Sequence, residues 1–417
     1  MPVCRGRGRA VLVTVLAALL PGCWLQVGFD PGHSRHNDTE DELTADDVAS
    51  LVQAWTVGLG PGAGEPMVRG DRAYVTTGGF DAATGESSIG ARAYDTATGT
   101  EAWRRVFASF CCASPSIDYP APAFVDNQLW AGYFLLYSGP RPVGGFGGPV
   151  RLDPVDGREI GRESNISMTP PVESGGRVVQ QTMGTDLVPD LVVRDARTLA
   201  TQWQATTPPP STPEPFVAPP AVVDGRIVVV HGAVVAGYPL AGCGGAVCST
   251  AWTRDDLGEP TAVAARSGWG EALVAAGDEL VALSPTTGVT LWRAPLGAGA
   301  SGLAIAGDTV FVGAAATLRA FPAGGCGAAT CEPTWSAALG TSASSAPTVA
   351  GGVVYVGGAG IVEAFPADGC GEATCPSLAA VPVGGTVHHV VVDDGRLFTI
   401  NRPAGSSSRL TAFAPPP

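Results

Sequence analysis

Lysine is absent from the 417 residues, histidine occurs five times, and charged side chains of all kinds make up only 15% of the chain. Every basic residue is therefore Arg, a bias better explained by codon composition than by function. Acidic residues number 38 against 24 basic ones, a formal net charge of −14. That balance argues against nucleic acid and anionic lipid surfaces as partners. Long apolar runs are missing too: the stretch Ala10 to Leu20 is too short for a comfortable membrane span, and no other segment qualifies. The pattern also lacks long helices, because 57 Gly and 36 Pro are spread between short apolar runs. Strands and turns are expected throughout, an all-β fold rather than disorder. Only TTPPPSTPEP, residues 206 to 215, reads as a stiff polyproline connector. P-loop, G-x-S-x-G and H-E-x-x-H motifs do not occur in the mature chain.

The leader is the first thing present. Arg5, Arg7 and Arg9 precede the apolar run, and a small residue precedes Cys23, the layout of a secretory signal peptide over residues 1–22. Leu20-Pro21-Gly22-Cys23 resembles the bacterial lipobox, which implies acylation of the Cys23 thiol and an exported, lipid-tethered body on the extracytoplasmic face of a bacterial cell. Loss of the leader's three arginines takes the balance to −17. Eight of the ten cysteines then remain, and an even number in an exported chain points to disulfides. Three pairs share one frame: Cys243 with Cys248, Cys326 with Cys331, and Cys370 with Cys375. One spacing used three times means one structural task done three times. Zinc is the rival ligand, but no histidines lie near these pairs. The other two cysteines, Cys111 and Cys112, are adjacent.

DGRIVVVHGAVVAGYPL, GDTVFVGAAATLRAFPA and GGVVYVGGAGIVEAFPA, starting at Asp224, Gly307 and Gly351, are copies of one unit. Each is a turn, an alternating strand, a Gly hinge and a second strand. The cysteine hairpin follows, and then Trp252, Trp335 or, in the third copy, Ala379. In AYDTATGTEAW (Ala93 to Trp103) and ALSPTTGVTLW (Ala282 to Trp292) the hairpin has no cysteines. There Gly99 and Gly288 supply the positive φ of the turn and Asp95 bonds its amides. A period of about forty to fifty residues signals a propeller or a solenoid. The recurring tryptophans, Trp55, Trp103, Trp203, Trp252, Trp292 and Trp335, are expected to wedge between neighbouring sheets, each contributing roughly 2 to 3 kcal/mol.

Ala93-x-Asp95-x-x-Thr98-Gly99-x-x-x-Trp103 resembles the docking motif of the quinoprotein (PQQ) β-propeller superfamily, and Ala282 to Trp292 departs from it only at Ser284. Residues Cys23 to Trp55 resemble the lead-in of such propellers at Trp24, Asp30, His33 and Asn37. Thr44 and Asp47 look like the cap of a short helix. The resemblance implies a lead-in over 23–50 and a propeller over 51–417. About eight four-stranded blades are expected, with seven open because the units around 105 to 205 are degenerate, and the N-terminal strand is expected to close the last blade.

In quinoprotein alcohol dehydrogenases an adjacent Cys-Cys ring stacks on PQQ, and Cys111-Cys112 follows Trp103 in a similar place. If PQQ binds, these two cysteines are its site. The same family holds calcium through Glu and Asn with an Asp base. The corresponding stretch here, Ser167 to Ala196, has no Glu after the strand where that family places one, and Asp186 or Asp190 would have to substitute. The vicinal pair then reads as a staple that shapes a loop. His388 and His389, adjacent in a strand, point to opposite faces and cannot chelate one metal; His231 stands alone in a strand, and His33 and His36 position the lead-in. The expected function is a non-catalytic binding or scaffolding propeller, a monomer docking a protein or cell-envelope ligand. The alternative is a PQQ-dependent oxidoreductase with calcium.

Overall fold

The computed structural model describes residues 23–81, 86–111, 116–132, 134–136, 148–163, 166–183, 189–206 and 217–416. The polyproline connector, Cys112 and Asp186 lie outside these residues, and so does the leader. Among them, no helix is long and apolar enough to cross a membrane.

Strands follow one another as antiparallel meanders. Blade 1 comprises Met67–Arg69, Arg72–Asp81, Glu86–Asp95 and Glu101–Cys111. Blade 2 starts at Ala123, blade 3 at Ile166, blade 4 at Val217, blade 5 at Pro260 and blade 6 at Ala300, each a separate sheet. A two-stranded ribbon, Ser116–Asp118 with Phe134–Leu136, precedes and overlaps blade 2 in the chain.

The last sheet has eight strands and is two blades joined by one long strand, Ala379–Asp393. Its first part pairs with Ala359–Pro366 as the outer strand of blade 7. Its second part pairs with Arg396–Arg402 as the inner strand of blade 8. A bend is built in at Gly385, with φ +97°, and at a register shift between Val387 and His389. Eight units result among the described residues, four-stranded except the third, in which Ile166–Ser167 and Val172–Ser174 both pair with Arg177–Met183. The Val52–Gly60 strand pairs antiparallel with Ser408–Ala414 and completes blade 8, so the N-terminal strand joins the C-terminal sheet and leaves no open edge there.

The sheets are buried on both faces, as Val353–Gly357 and Ala272–Ala276, the second strands of blades 7 and 5 and buried at every position, illustrate. Tryptophans lock successive blades. The Trp55 indole donates to Thr96 O, Trp103 to Pro154 O, Trp203 to Leu240 O and Trp252 to Pro285 O, in each case a turn of the next unit. Each ring covers a glycine of that turn. A Cβ at Gly99 would stand 2.7 Å from the Trp55 ring, and one at Gly288 2.5 Å from Trp252, so glycine is required by contact as well as by its φ of +70°. Trp292 and Trp335 face Gly325 and Gly369 of the cysteine hairpins in the same way.

The three bridges, Cys243–Cys248, Cys326–Cys331 and Cys370–Cys375, are formed. Beyond holding their own turns they clasp the preceding blade. Ala329 O accepts from Arg293 N–H, and Cys331 N–H donates to Arg293 O, so the hairpin adds a parallel partner to the outer strand of blade 5. Gln204 and Ser336 are held likewise by the first and third hairpins.

The helix expected after Thr44 is a single 3-10 turn, Val48–Ser50, and its cap works in reverse. Asp47 accepts from the Thr44 N–H and hydroxyl, while no side chain caps the turn itself. Leu51 ends it by turning directly into the closing strand.

Candidate functional site: the propeller axis

The lead-in visits every blade in order. Trp24 O accepts from Val68 N–H in blade 1, and Leu25 O from Phe124 N–H in blade 2. The Gln26 side-chain oxygen accepts from Glu173 N–H in blade 3 at 3.0 Å. Pro31 O, Gly32 O, Ser34 O and Arg35 O accept from Val222, Ala265, Ile305 and Val349 of blades 4 to 7 at 2.7 to 2.8 Å. Asn37 finishes the circuit by donating to Val392 O of blade 8. Several of these bonds fall near the C-terminal ends of the innermost strands, so the segment forms a belt around one end of the axis. Phe29, His33 and Arg35 hold positive φ of 78°, 59° and 54°. For non-glycine residues this costs about 1 kcal/mol or more each, offset by the hydrogen bonds of the belt.

Glu65, on the segment leading into blade 1, is the hub. Its Oε1 accepts from the Trp24 indole and from Gly28 N–H, both at 3.0 Å. Its Oε2 meets Arg35 at 2.7 Å and lies 3.6 Å from His389 Nδ1. Burial alone would raise this carboxyl, but the Arg35 guanidinium and then His389 outweigh it and hold it well below the usual carboxylate range. Arg35 spends its other donors on Pro347 O, Thr348 Oγ1 and Val390 O. His33 lies between Val27 O at 2.8 Å and Pro220 O at 3.0 Å, and burial keeps its imidazole below its ordinary pKa. Asp30 ties the turn by accepting from Gly32 N–H, Ser34 N–H and the Ser34 hydroxyl.

A second buried carboxyl, Asp393, accepts from Asn37 at 3.0 Å and is pushed well above the ordinary value by burial, then by Glu40 and Asp394.

The lead-in residues Trp24, Asp30, His33 and Asn37 thus serve one task, the path of the belt. Glu65 was not singled out in the sequence; a lone carboxylate in the run GAGEPM was its only sign. His389 faces Glu65 while its neighbour His388 is exposed, and His231 is buried within blade 4. Cys111 ends the outer strand of blade 1 opposite Glu86, and its side chain, like all of Cys112, is outside the described residues. Asp190 sits in the third strand of blade 3, two strands from the axis. Cys23 stands at the start of the belt.

The family model for outer membrane protein assembly factor BamB matches residues 147–300 and 276–369, together more than half of the chain. The chain belongs to this PQQ-repeat β-propeller family. Among solved structures, a quinohemoprotein alcohol dehydrogenase, ADHIIG from Pseudomonas putida HK5, is 13% identical with a TM-score of 0.67, over 95% of this chain and 80% of that one. BamB from Moraxella catarrhalis is 16% identical with a TM-score of 0.53, over 88% and 98%. Sqt1 from Saccharomyces cerevisiae is 7% identical with a TM-score of 0.55, over 89% and 99%. At these identities the likeness concerns the fold alone. No curated protein matches the sequence. Family membership, together with three disulfides, points to an extracytoplasmic location.

The resemblance to quinoprotein dehydrogenases implies PQQ with calcium, and the residues it would use first, the Cys111 side chain, Cys112 and Asp186, lie outside the described residues. Among the described residues, no group of three or more His, Cys, Asp or Glu is placed to hold a metal ion. Glu65 and Arg35, at the axis, are bonded to each other and to the belt. Asp190 stands too far out in its blade to face a ligand on the axis.

Proposed function

We propose that the protein is an exported, non-catalytic binding or scaffolding propeller whose partner is a protein or a cell-envelope ligand. The observation that supports this reading is the belt: the acid and base at the axis are consumed in positioning the lead-in, which leaves rim loops and outer faces as the surfaces offered to a partner. An acidic chain disfavours nucleic acid as that partner. Membrane attachment through a lipid on Cys23 is part of this reading, and the mass of the N-terminal peptide, acylated or not, tests it. A monomer is expected.

The experiment is a titration of the purified exported chain with PQQ and calcium, following tryptophan fluorescence and dye-coupled alcohol oxidation. The binding reading expects no saturable quenching and no turnover. Saturable binding with turnover that vanishes in Cys111→Ser would replace it with the PQQ-dependent oxidoreductase.

A further inference from the structure

Blade 1 departs from the others. Its three outer strands have 10, 10 and 11 residues, where the corresponding strands of blade 5 have 5, 5 and 6. The extended part, facing the closing strand of blade 8, encloses a trough of about 420 Å³. Gly60, Gly79 and Gly90 line it with bare main chain, and each is glycine because another atom stands where its Cβ would be: Gly78 O at 1.9 Å, Ser88 Oγ at 2.5 Å and Arg105 O at 2.1 Å. Thr77, Ser88 and Ser109 add hydroxyls.

Two guanidinium groups stand on this face, those of Arg92 and Arg104, cross-strand partners in Glu86–Asp95 and Glu101–Cys111. They share a single carboxylate, Glu101, at 3.8 and 3.2 Å, a local positive excess on a chain whose net charge is −14. Arg105, the next residue of its strand, lends the trough its main chain and turns its side chain to the other face, toward Glu159 of blade 2 at 3.5 Å. The Arg104 side chain is about half exposed.

We propose that this trough is a binding site for an acidic saccharide, a sugar of one or two rings carrying a phosphate or carboxylate. The volume falls at the small end of the range for small-molecule sites. Guanidinium forks suit a planar carboxylate or a phosphate. The hydroxyls and exposed main chain suit a ring of sugar hydroxyls. The site is separate from the axis and goes beyond the scaffold reading.

Calorimetric titration of the exported chain with glucose 1-phosphate and glucuronate, with glucose and inorganic phosphate alongside, tests it. Saturable binding of at least one acidic sugar is expected, at least tenfold weaker for glucose and for phosphate. Arg104→Ala should weaken it roughly tenfold, the loss of one charge-assisted contact, whereas Arg105→Ala, on the other face of the strand, should leave it unchanged. Ser88→Leu, which fills the trough and leaves the charges, should abolish it. Each variant should melt as the parent does, since Arg104 and Arg105 are surface residues and Ser88 lines open space. No binding of either acidic sugar, equal binding of inorganic phosphate, or affinity unchanged in Arg104→Ala would overturn the proposal.

Discussion

Replacing Glu65 by Ala removes the carboxylate that joins Trp24, Gly28, Arg35 and His389. Breaking a buried ion pair from one side costs about 3–5 kcal/mol, because the other charge stays behind. Here Arg35 keeps three acceptors, Pro347 O, Thr348 Oγ1 and Val390 O. The cost should fall at the low end, about 3 kcal/mol. Unfolding entropies of about 2.1 cal/mol/K per residue give a chain of 417 residues an entropy near 0.9 kcal/mol/K, and hence a fall in Tm of about 3–4 °C. The double variant Glu65→Leu with Arg35→Met should recover most of that loss. Acid sensitivity follows from the same group. Its folded pKa lies below the ordinary value of 4.5, so its contribution is complete above that pH and disappears as pH falls below it. Glu65→Ala should therefore flatten the acid limb of a Tm-against-pH profile measured by calorimetry. A Tm within 1 °C of the parent at pH 7, with an unchanged acid limb, would refute the account of Glu65 as the hub.

Asp393 has the opposite sign. Its folded pKa is raised, so an ionised carboxyl there costs stability as pH rises above the ordinary carboxylate range. Asp393→Asn keeps the acceptor for Asn37 and should stabilise the chain at pH 7 and not at pH 3, read from urea midpoints. Replacing Cys326 and Cys331 together by Ser should cost about 2 kcal/mol in the chain-entropy model. It should also speed hydrogen exchange at Arg293, whose N–H the intact hairpin binds. Exchange at Arg293 no faster than in the parent would show that the bridge serves its own turn only.

The repeat was legible because each unit carries its own turn chemistry. Asp95, Thr98 and Gly99 form the turn from local bonds, with Asp95 accepting from the Thr98 N–H and hydroxyl. The tryptophans are spaced from that turn by fixed strand geometry. Blade count was less legible because Ala379–Asp393 crosses two blades with no turn between them, and because the copy ending at Ala379 gives no Trp. Blade 2 hides for a related reason: its outer strand Glu159–Arg162 carries no tryptophan, although Gly157 still receives Trp103. The belt could be read only as a resemblance. Its bonds join residues up to 355 apart in sequence, and no periodicity encodes them. Glu65 was invisible for the same reason, since its partners come from the lead-in and from blade 8. Arg92 and Arg104 carried no mark in the sequence, because the trough depends on glycines from three different strands.

Hydrogen exchange of the native chain, followed at single residues, tests the belt most directly. The amides of Val68, Phe124, Val222, Ala265, Ile305 and Val349 donate to the lead-in and to no neighbouring strand of their own blades on that side. The account predicts that all six exchange as slowly as the sheet-interior amides of Val228, Val274 and Val312. Exchange of these six at the rate of open loops, with the three interior amides still protected, would contradict it.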